Sequence, residues 1–239
     1  MLKKDERYED LQINDLKIMQ SVSGYRFTSD AVLLANIARA LPGQKVVDLG
    51  AGSGIVSILM AAKTKASKIV GVEIQNRLAD MAKRSVEYNN LGDRIEIVNK
   101  PMQTVHKEIG SNFDVAVSNP PYEIATKKES INELDICRQE VKVTLEEVIL
   151  SAKMLLRFGG NFFMINKVKR LADTIYLLKH NDLEPKKLTM IYPKASKDAD
   201  TFIVEAKKGA KPSMIVPSPF ILYNEDGTMT ENTRRIYGK

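Results

Sequence analysis

Short apolar runs alternate along the chain with longer stretches in which apolar residues recur at helical spacing. The apolar runs have the length and composition of strands, and the longer stretches have the period of amphipathic helices. The predicted strands are 45–49, 68–72, 94–98, 113–118, 161–166, 187–192, 201–207 and 220–223. The predicted helices are 55–65, 76–89, 142–158 and 170–181, preceded by one that starts near residue 30 with Thr28 or Ser29 as its N-cap.

This order of strands and helices predicts an α/β fold. Strands that alternate with helices form βαβ units, and such units build a parallel sheet that is covered on both faces. We expect a seven-stranded, mostly parallel sheet with helices on both faces and one antiparallel strand at its edge. Ligands of such sheets bind outside the carboxyl ends of the strands, so we expect the functional residues at those ends.

Three parts of the chain are predicted around this sheet. Residues 1–40 form an N-terminal cap segment, 41–207 the catalytic domain, and 208–239 a C-terminal extension packed on the core. Residues 123–139 are polar and without periodicity, and a loop of that length inside a domain is typically functional or mobile.

Composition narrows the class of protein. The chain has 239 residues, 44% hydrophobic and 28% charged, which fits one globular core. It shows neither a signal peptide nor an apolar run long enough to span a membrane, so a cytoplasmic protein without a membrane partner is expected, as a monomer or weak dimer. Cys137 has no partner for a disulfide, and His106 and His180 lack metal-ligand spacing, so we expect no metal and place both histidines at the surface.

The net charge of +6 is unevenly distributed. Only Asp173, Asp182 and Glu184 oppose a basic stretch between residues 153 and 197. Its members are Lys153, Arg157, Lys167, Lys169, Arg170, Lys179, Lys186, Lys187, Lys194 and Lys197. A polyanion-binding surface and an ordinary solvated face both remain open on this evidence.

A glycine-rich segment follows the first core strand. It spells Asp48-Leu-Gly50-Ala51-Gly52-Ser-Gly54 and opens the next helix. Glycines at such a bend allow a sharp turn and close approach of a ligand to the backbone. A dinucleotide site has the spacing G-x-G-x-x-G and an anionic pyrophosphate, which Asp48 would repel. The spacing G-x-G-x-G with Asp48 favours cationic S-adenosylmethionine over a nicotinamide cofactor.

Glu73 ends the second core strand. A carboxylate at this position can accept hydrogen bonds from two ribose hydroxyls. Both cofactor classes use this device, so Glu73 indicates nucleoside binding without choosing between them.

The segment Asn119-Pro120-Pro121-Tyr122 follows the fourth core strand. The lone pair of an adenine N6 amine is delocalised into the ring, and two acceptors, the Asn119 side-chain oxygen and the Pro120 carbonyl, can localise it. The prolines stiffen the loop, and Tyr122 can stack on a flipped base. The motif predicts methyl transfer to an exocyclic amine in which positioning supplies most of the rate.

With these motifs the chain resembles Rossmann-like class I methyltransferases, and more specifically the bacterial tRNA adenine-N6 methyltransferases that modify an anticodon-loop adenine of a valine tRNA. Segments 20–34, 137–140, 192–195 and 221–230 continue the resemblance. Two positions depart from it: Pro101 stands near the usual third-strand Asp, for which Asn99 or Gln103 is a candidate substitute, and Gln139 replaces a His.

Together with this resemblance, the motifs give three sets of candidate site residues. The catalytic candidates are Asn119, Pro120, Pro121 and Tyr122. The candidates for binding S-adenosyl-L-methionine are Phe27, Asp48, Gly50, Ala51, Gly52, Gly54, Glu73, Ile74, Met102 and Asn119. The candidates for binding tRNA are Arg138, Lys167, Lys169, Arg170 and Lys194.

Four alternatives remain. A protein glutamine-N5 methyltransferase fits the same motif, because an amide nitrogen needs the same localisation of its lone pair. A DNA adenine-N6 methyltransferase needs the same base chemistry. A nicotinamide oxidoreductase is disfavoured by the glycine spacing and by Asp48. A non-catalytic RNA-binding module is disfavoured by the complete Asn-Pro-Pro-Tyr sequence.

Overall fold

The computed structural model describes residues 2–23, 28–122 and 143–237. The strands are β1 Glu6–Asp10, β2 Lys17–Ser21, β3 Lys45–Leu49, β4 Lys68–Val72, β5 Ile95–Val98, β6 Phe113–Ser118, β7 Leu156–Lys167, β8 Leu183–Tyr192, β9 Thr201–Lys208 and β10 Phe220–Ile221. The helices are α1 Ser29–Ile37, α2 Ile55–Lys63, α3 Asn76–Tyr88, α4 Met102–Ile109, α5 Leu145–Leu155, α6 Leu171–His180 and α7 Glu231–Ile236, with a 3₁₀ turn at Val168–Arg170.

The central sheet has the order β10-β8-β9-β7-β6-β3-β4-β5. All pairings are parallel except those of β9, which runs antiparallel to both β7 and β8. The predicted α/β fold with a mostly parallel sheet is thus confirmed. The placement of the antiparallel strand at the edge is wrong: residues 193–200 fold β8 back onto β9, which lies inside the sheet, and β10 adds an eighth strand beside β8.

The core lies on both faces of the sheet. Val46 belongs to the hydrophobic cluster on one face, which includes residues of α1, α2 and α3. Val47 belongs to the cluster on the opposite face, which includes residues of α5. Successive side chains of a strand point to opposite faces, so strands buried on both sides are continuously apolar. This is why the central strands were predictable from apolar runs alone.

Several elements were missed by the pattern. The β1–β2 hairpin is largely polar, and it rests on α3 through Met19, which packs on Leu78 and Met81. Helices α4 and α7 are short, with eight and six residues. The predicted helix 142–158 extends too far, since α5 ends at Leu155 and strand β7 begins at Leu156.

The segments outside the sheet are only partly described. The segment 208–239 contributes β10 to the sheet edge and α7 beyond it, while the proposed boundaries at residues 40 and 207 remain predictions. Most of the predicted loop 123–139, with Cys137 and Gln139, lies outside the described residues. Among the helices that are described, none has the length and apolar character required to cross a membrane.

Candidate active site

The glycine-rich turn joins β3 to α2 at the carboxyl edge of the sheet. Gly50, Gly52 and Gly54 all have positive φ angles, of 76°, 57° and 91°. Residues other than glycine rarely adopt such a backbone conformation. The N–H groups of Gly50 and Ala51 donate to the carbonyl of Val72 at 2.9 and 3.0 Å. The turn is therefore fixed against the end of the neighbouring strand β4.

Glu73 holds the same turn through its side chain. One carboxylate oxygen accepts the N–H of Gly52 at 2.9 Å, and the other accepts the N–H of Gln75 at 2.8 Å. The residue is only 5% exposed. Its own carbonyl accepts a hydrogen bond from the Asn99 side-chain nitrogen at 2.8 Å, so Asn99 has a structural partner here.

Asp48 lies behind the turn. It is 1% exposed, and one of its oxygens accepts from the Ser57 N–H at 3.1 Å and from the Ser57 hydroxyl at 2.7 Å. Burial raises the pKa of Asp48 to about 7; the bonds from Ser57 oppose this shift, and the charge of Glu73 adds to it. Asp48 thus holds the first turn of α2 and is not among the residues that line the cleft described next, because alternation along β3 points it toward that helix. Its role in binding the cofactor stays a prediction.

A cleft opens between the glycine-rich turn and the Asn-Pro-Pro segment. Its walls include eight of the predicted site residues: Gly50, Gly52, Glu73, Ile74, Met102, Asn119, Pro120 and Pro121. The motifs at the ends of β3, β4 and β6 are thus brought to one cavity. Six further lining residues were not among the predicted site residues: Leu49, Val72, Gln75, Lys100, Gln103 and Val143.

Some predicted residues lie elsewhere. Ala51 and Gly54 are in the turn but do not line the cleft. A Cβ on Gly54 would stand 3.2 Å from the Cβ of Ala82, so this glycine serves the close packing of α2 on α3. Phe27 and Arg138 lie outside the described residues. Gln103, one of the two candidates for the missing third-strand acid, lines the cleft, whereas Asn99 does not.

Tyr122 connects the Asn-Pro-Pro segment to α1. Its hydroxyl lies 3.0 Å from a carboxylate oxygen of Asp30 and also contacts the side-chain oxygen of Asn119. The Lys167 ammonium lies 5.4 Å from the centre of the Tyr122 ring. The hydroxyl of Ser118, just before the segment, donates to the Leu49 carbonyl at 2.9 Å and ties it to β3.

The candidates for tRNA binding differ in their exposure and in the ion pairs and hydrogen bonds that they form within the fold. Lys167 forms ion pairs with Asp200 at 2.7 Å and with Asp30 at 3.4 Å. The Arg170 side chain is 11% exposed and pairs with Asp173 at 3.2 Å. Lys194 donates to the carbonyl of Glu225. Lys169 is exposed, and no ion pair is seen for it within the described chain.

The basic stretch as a whole does not form one face. Three of its members lie toward the amino edge of the sheet and pair with carboxylates, since α5 enters β7 there and α6 ends there. These pairs are Lys153 with Asp182, Arg157 with Asp114, and Lys179 with Glu184. His180 is exposed as predicted, whereas His106 is half-buried, and its Nδ1 is covered and has no hydrogen-bond partner among the described residues.

Comparison with known structures places the fold. The fold matches a predicted O-methyltransferase from Agrobacterium tumefaciens, with a TM-score of 0.72 and 23% identity over 87% of this chain and 95% of that one. It also matches a tRNA m1G37 methyltransferase from M. jannaschii, with a TM-score of 0.61 and 16% identity over 88% of this chain and 59% of that one. The architecture is that of the Rossmann-like methyltransferases.

Sequence comparison gives the family. Residues 27–181 match the model of the methyltransferase small domain, and the chain belongs to this family. Two relatives are named tRNA1(Val) (adenine(37)-N6)-methyltransferase. The one from Flavobacterium johnsoniae is 27% identical over 75% of this chain and 77% of its own, and the one from Bacteroides thetaiotaomicron 26% identical over 70% and 72%. The predicted methyltransferase class is confirmed over the nicotinamide oxidoreductase.

Proposed function

We propose that this methyltransferase transfers the methyl group of S-adenosylmethionine to the N6 amine of an adenine in tRNA, most specifically in the anticodon loop of a valine tRNA. One observation carries the proposal: Asn119, Pro120 and Pro121 line the same cleft as the glycine-rich turn and Glu73. An amine held by the first group of residues therefore lies beside a nucleoside cofactor held by the second.

The cleft fits S-adenosylmethionine by its chemistry. Gly50 has no side chain, so its backbone is open to close approach by a ligand. The nearest atom to a Cβ placed on Gly50 is the Met102 methyl carbon, at 3.8 Å. The Glu73 carboxylate lines the cleft in an orientation fixed by two backbone N–H groups, and we expect it to accept hydrogen bonds from the ribose hydroxyls. Ile74 and Met102 offer apolar walls to an adenine ring. The cofactor, when bound, supplies an activated methyl group on a sulfonium sulfur.

The chain's own residues prepare the target amine. The Asn119 side-chain oxygen and the Pro120 carbonyl accept the two N6 hydrogens, which localises the nitrogen lone pair. The Tyr122 ring offers a stacking face for the base, a contact worth roughly 1–3 kcal/mol. The product proton leaves to solvent, so no strong base is required.

The choice of tRNA rests on the relatives. Several curated proteins that cover most of this chain carry the same tRNA adenine-N6 name. An anticodon loop suits the chemistry because its bases are unpaired and leave their stack at low cost. Protein glutamine and DNA adenine remain the alternatives that the test must separate. A monomer or weak dimer in the cytoplasm remains the expectation for the assembled protein.

The test is transfer of a labelled methyl group to purified valine tRNA, followed by mass analysis of its nucleosides. We expect N6-methyladenine in this tRNA and none when the loop adenine is replaced by another base. The Asn119→Ala variant should lose turnover and keep its cofactor affinity. Equal labelling of both tRNAs would place the target elsewhere, and labelling of protein but of no RNA would favour the glutamine methyltransferase.

A further inference from the structure

Asp30 is a buried acid in the segment 20–34, and the sequence motifs assign it no role. It lies in the first turn of α1 and is 8% exposed. Although 92 residues separate it from Tyr122, its carboxylate lies 3.0 Å from the Tyr122 hydroxyl. The same carboxylate oxygen is 3.4 Å from the Lys167 ammonium. A helix at the edge of the core thus places a charged acceptor directly behind the Asn-Pro-Pro-Tyr segment.

The hydrogen count at the Tyr122 hydroxyl is decisive. This hydroxyl has a single hydrogen, yet it contacts two oxygens, one of Asp30 and one of the Asn119 side chain. A carboxylate can only accept, and bonds to a charged acceptor are the stronger ones, so the hydrogen goes to Asp30. An amide can turn by 180° and offer its NH₂ group to the Tyr122 oxygen instead. That orientation frees the Asn119 oxygen from Tyr122.

Lys167 completes the cluster. Its ammonium pairs with Asp30 and Asp200, and it also lies over the Tyr122 ring. Burial works against the charge of Lys167, but the hydrogen bond to Asp200 and the charges of Asp30 and Asp200 outweigh it and raise the pKa of Lys167. The cation therefore stays charged at neutral pH and provides a positive partner for the accepting carboxylate of Asp30.

We propose that Asp30 is a positioning residue for methyl transfer: by taking the hydrogen of the Tyr122 hydroxyl, it orients the Asn119 amide so that its oxygen can accept a hydrogen from the target amine. This inference rests on the proposed function and deepens it. Without Asp30, the Tyr122 hydroxyl would donate to the Asn119 oxygen and occupy the acceptor that the substrate needs.

This mechanism predicts an unusual double-mutant cycle. Asp30→Ala should lower kcat by roughly ten- to hundredfold, the equivalent of one hydrogen bond to a charged group, while the KM for tRNA and the affinity for S-adenosylhomocysteine stay within about twofold. In a Tyr122→Phe background the same change should have no effect on kcat, because no hydroxyl remains to block Asn119. Asp30→Asn, which retains an acceptor oxygen, should be intermediate.

The matched control is Asp173→Ala. Asp173 also lies in the first turn of a helix and pairs with a basic residue, Arg170, but no contact with Tyr122 is seen for it in the described part of the chain. It should leave kcat unchanged. Equal losses from Asp30→Ala in the wild-type and Tyr122→Phe backgrounds would show that Asp30 acts only through folding and would overturn the proposal, as would a fully active Asp30→Ala enzyme.

A spectroscopic measurement separates this proposal from the proposed function, since it needs no substrate. In a ¹H–¹⁵N spectrum of the isotope-labelled protein, the Asn119 side-chain NH₂ signal is assigned by its loss in Asn119→Ala. Both Asp30→Ala and Tyr122→Phe should shift this signal, and Asp173→Ala should not. A signal that ignores Asp30→Ala overturns the positioning role, whereas a shifted signal in an enzyme that methylates no RNA overturns only the choice of substrate.

Discussion

The carboxylate of Glu73 accepts a 2.9 Å hydrogen bond from the backbone N–H of Gly52, 21 residues earlier in the chain. The acid proposed to hold the cofactor ribose therefore also holds the turn proposed to lie against the cofactor. Each group fixes the position of the other before any ligand arrives, which lowers the ordering cost of binding.

Replacing Glu73 should therefore weaken the cofactor site. We expect Glu73→Ala to reduce the affinity for S-adenosylhomocysteine by on the order of 1.5–3 kcal/mol, the usual value of hydrogen bonds to a charged group. Calorimetry measures this directly. Glu96→Ala is the control, because Glu96 is an exposed acid on the adjacent strand β5 and pairs with Lys68 at the surface. Unchanged affinity in Glu73→Ala would remove this residue from the proposed site.

The sequence predicted the sheet and the position of the cleft because both depend on local order. Buried parallel strands are apolar throughout, and their ends meet at one edge, so the motifs after β3, β4 and β6 had to converge. What the sequence could not supply was the direction of individual side chains. The charge of Asp48 favours a place beside a cationic ligand, whereas strand alternation points its carboxylate toward Ser57.

Contacts between side chains that are distant in sequence could not be predicted either. The contact of Asp30 with Tyr122 joins two segments 92 residues apart. Neither segment contains a sequence pattern that predicts its contact with the other. The ion pairs of Lys167 and Arg170 likewise depend on Asp200 and Asp173, which a count of basic residues does not place. A run of basic residues therefore does not indicate which of their charges are already paired within the fold.

Gly71 tests how tightly the glycine-rich turn is packed. A Cβ there would stand 2.8 Å from the Ile97 Cδ1 and 3.1 Å from both the Ala51 Cβ and the Ser57 hydroxyl oxygen. Gly71→Ala should therefore destabilise the protein by about 1–3 kcal/mol through overpacking. Urea unfolding measures the change. Gly92→Ala is the control, since no described atom lies within 4 Å of its Cβ; equal stability of the two variants would contradict this account.

Asp48 predicts a pH dependence of stability. Its pKa is raised from 3.8 to about 7 in the folded protein, so its carboxyl binds a proton more tightly when folded. The resulting stabilisation is fully present below about pH 4 and is lost as the pH rises through about 7. Relative to Asp48→Asn, the wild type should lose on the order of 2–3 kcal/mol of unfolding free energy between about pH 5 and pH 8. Urea unfolding of both proteins at each pH tests this, and a constant difference would refute it.

We expect the tRNA to bind at the carboxyl edge of the sheet. Lys169 follows β7, and Lys197 lies between β8 and β9, so both are at the carboxyl edge, the edge that carries the cleft. Both are exposed, unlike Arg170. Phosphate contacts from such lysines would hold the RNA while the cleft binds the base. Lys169→Glu and Lys197→Glu should therefore weaken tRNA binding and leave the affinity for S-adenosylhomocysteine unchanged.

Salt dependence identifies the cause. Each phosphate contact that is removed should reduce the slope of log affinity against log salt by about 0.7–0.9. Lys65→Glu is the matched control, because Lys65 is equally exposed but lies between α2 and β4 at the opposite edge of the sheet. Filter binding of valine tRNA across a range of salt concentrations gives both affinity and slope. If Lys65→Glu weakened binding as much as Lys169→Glu, the effect would come from net charge, and the carboxyl edge would not be the tRNA surface.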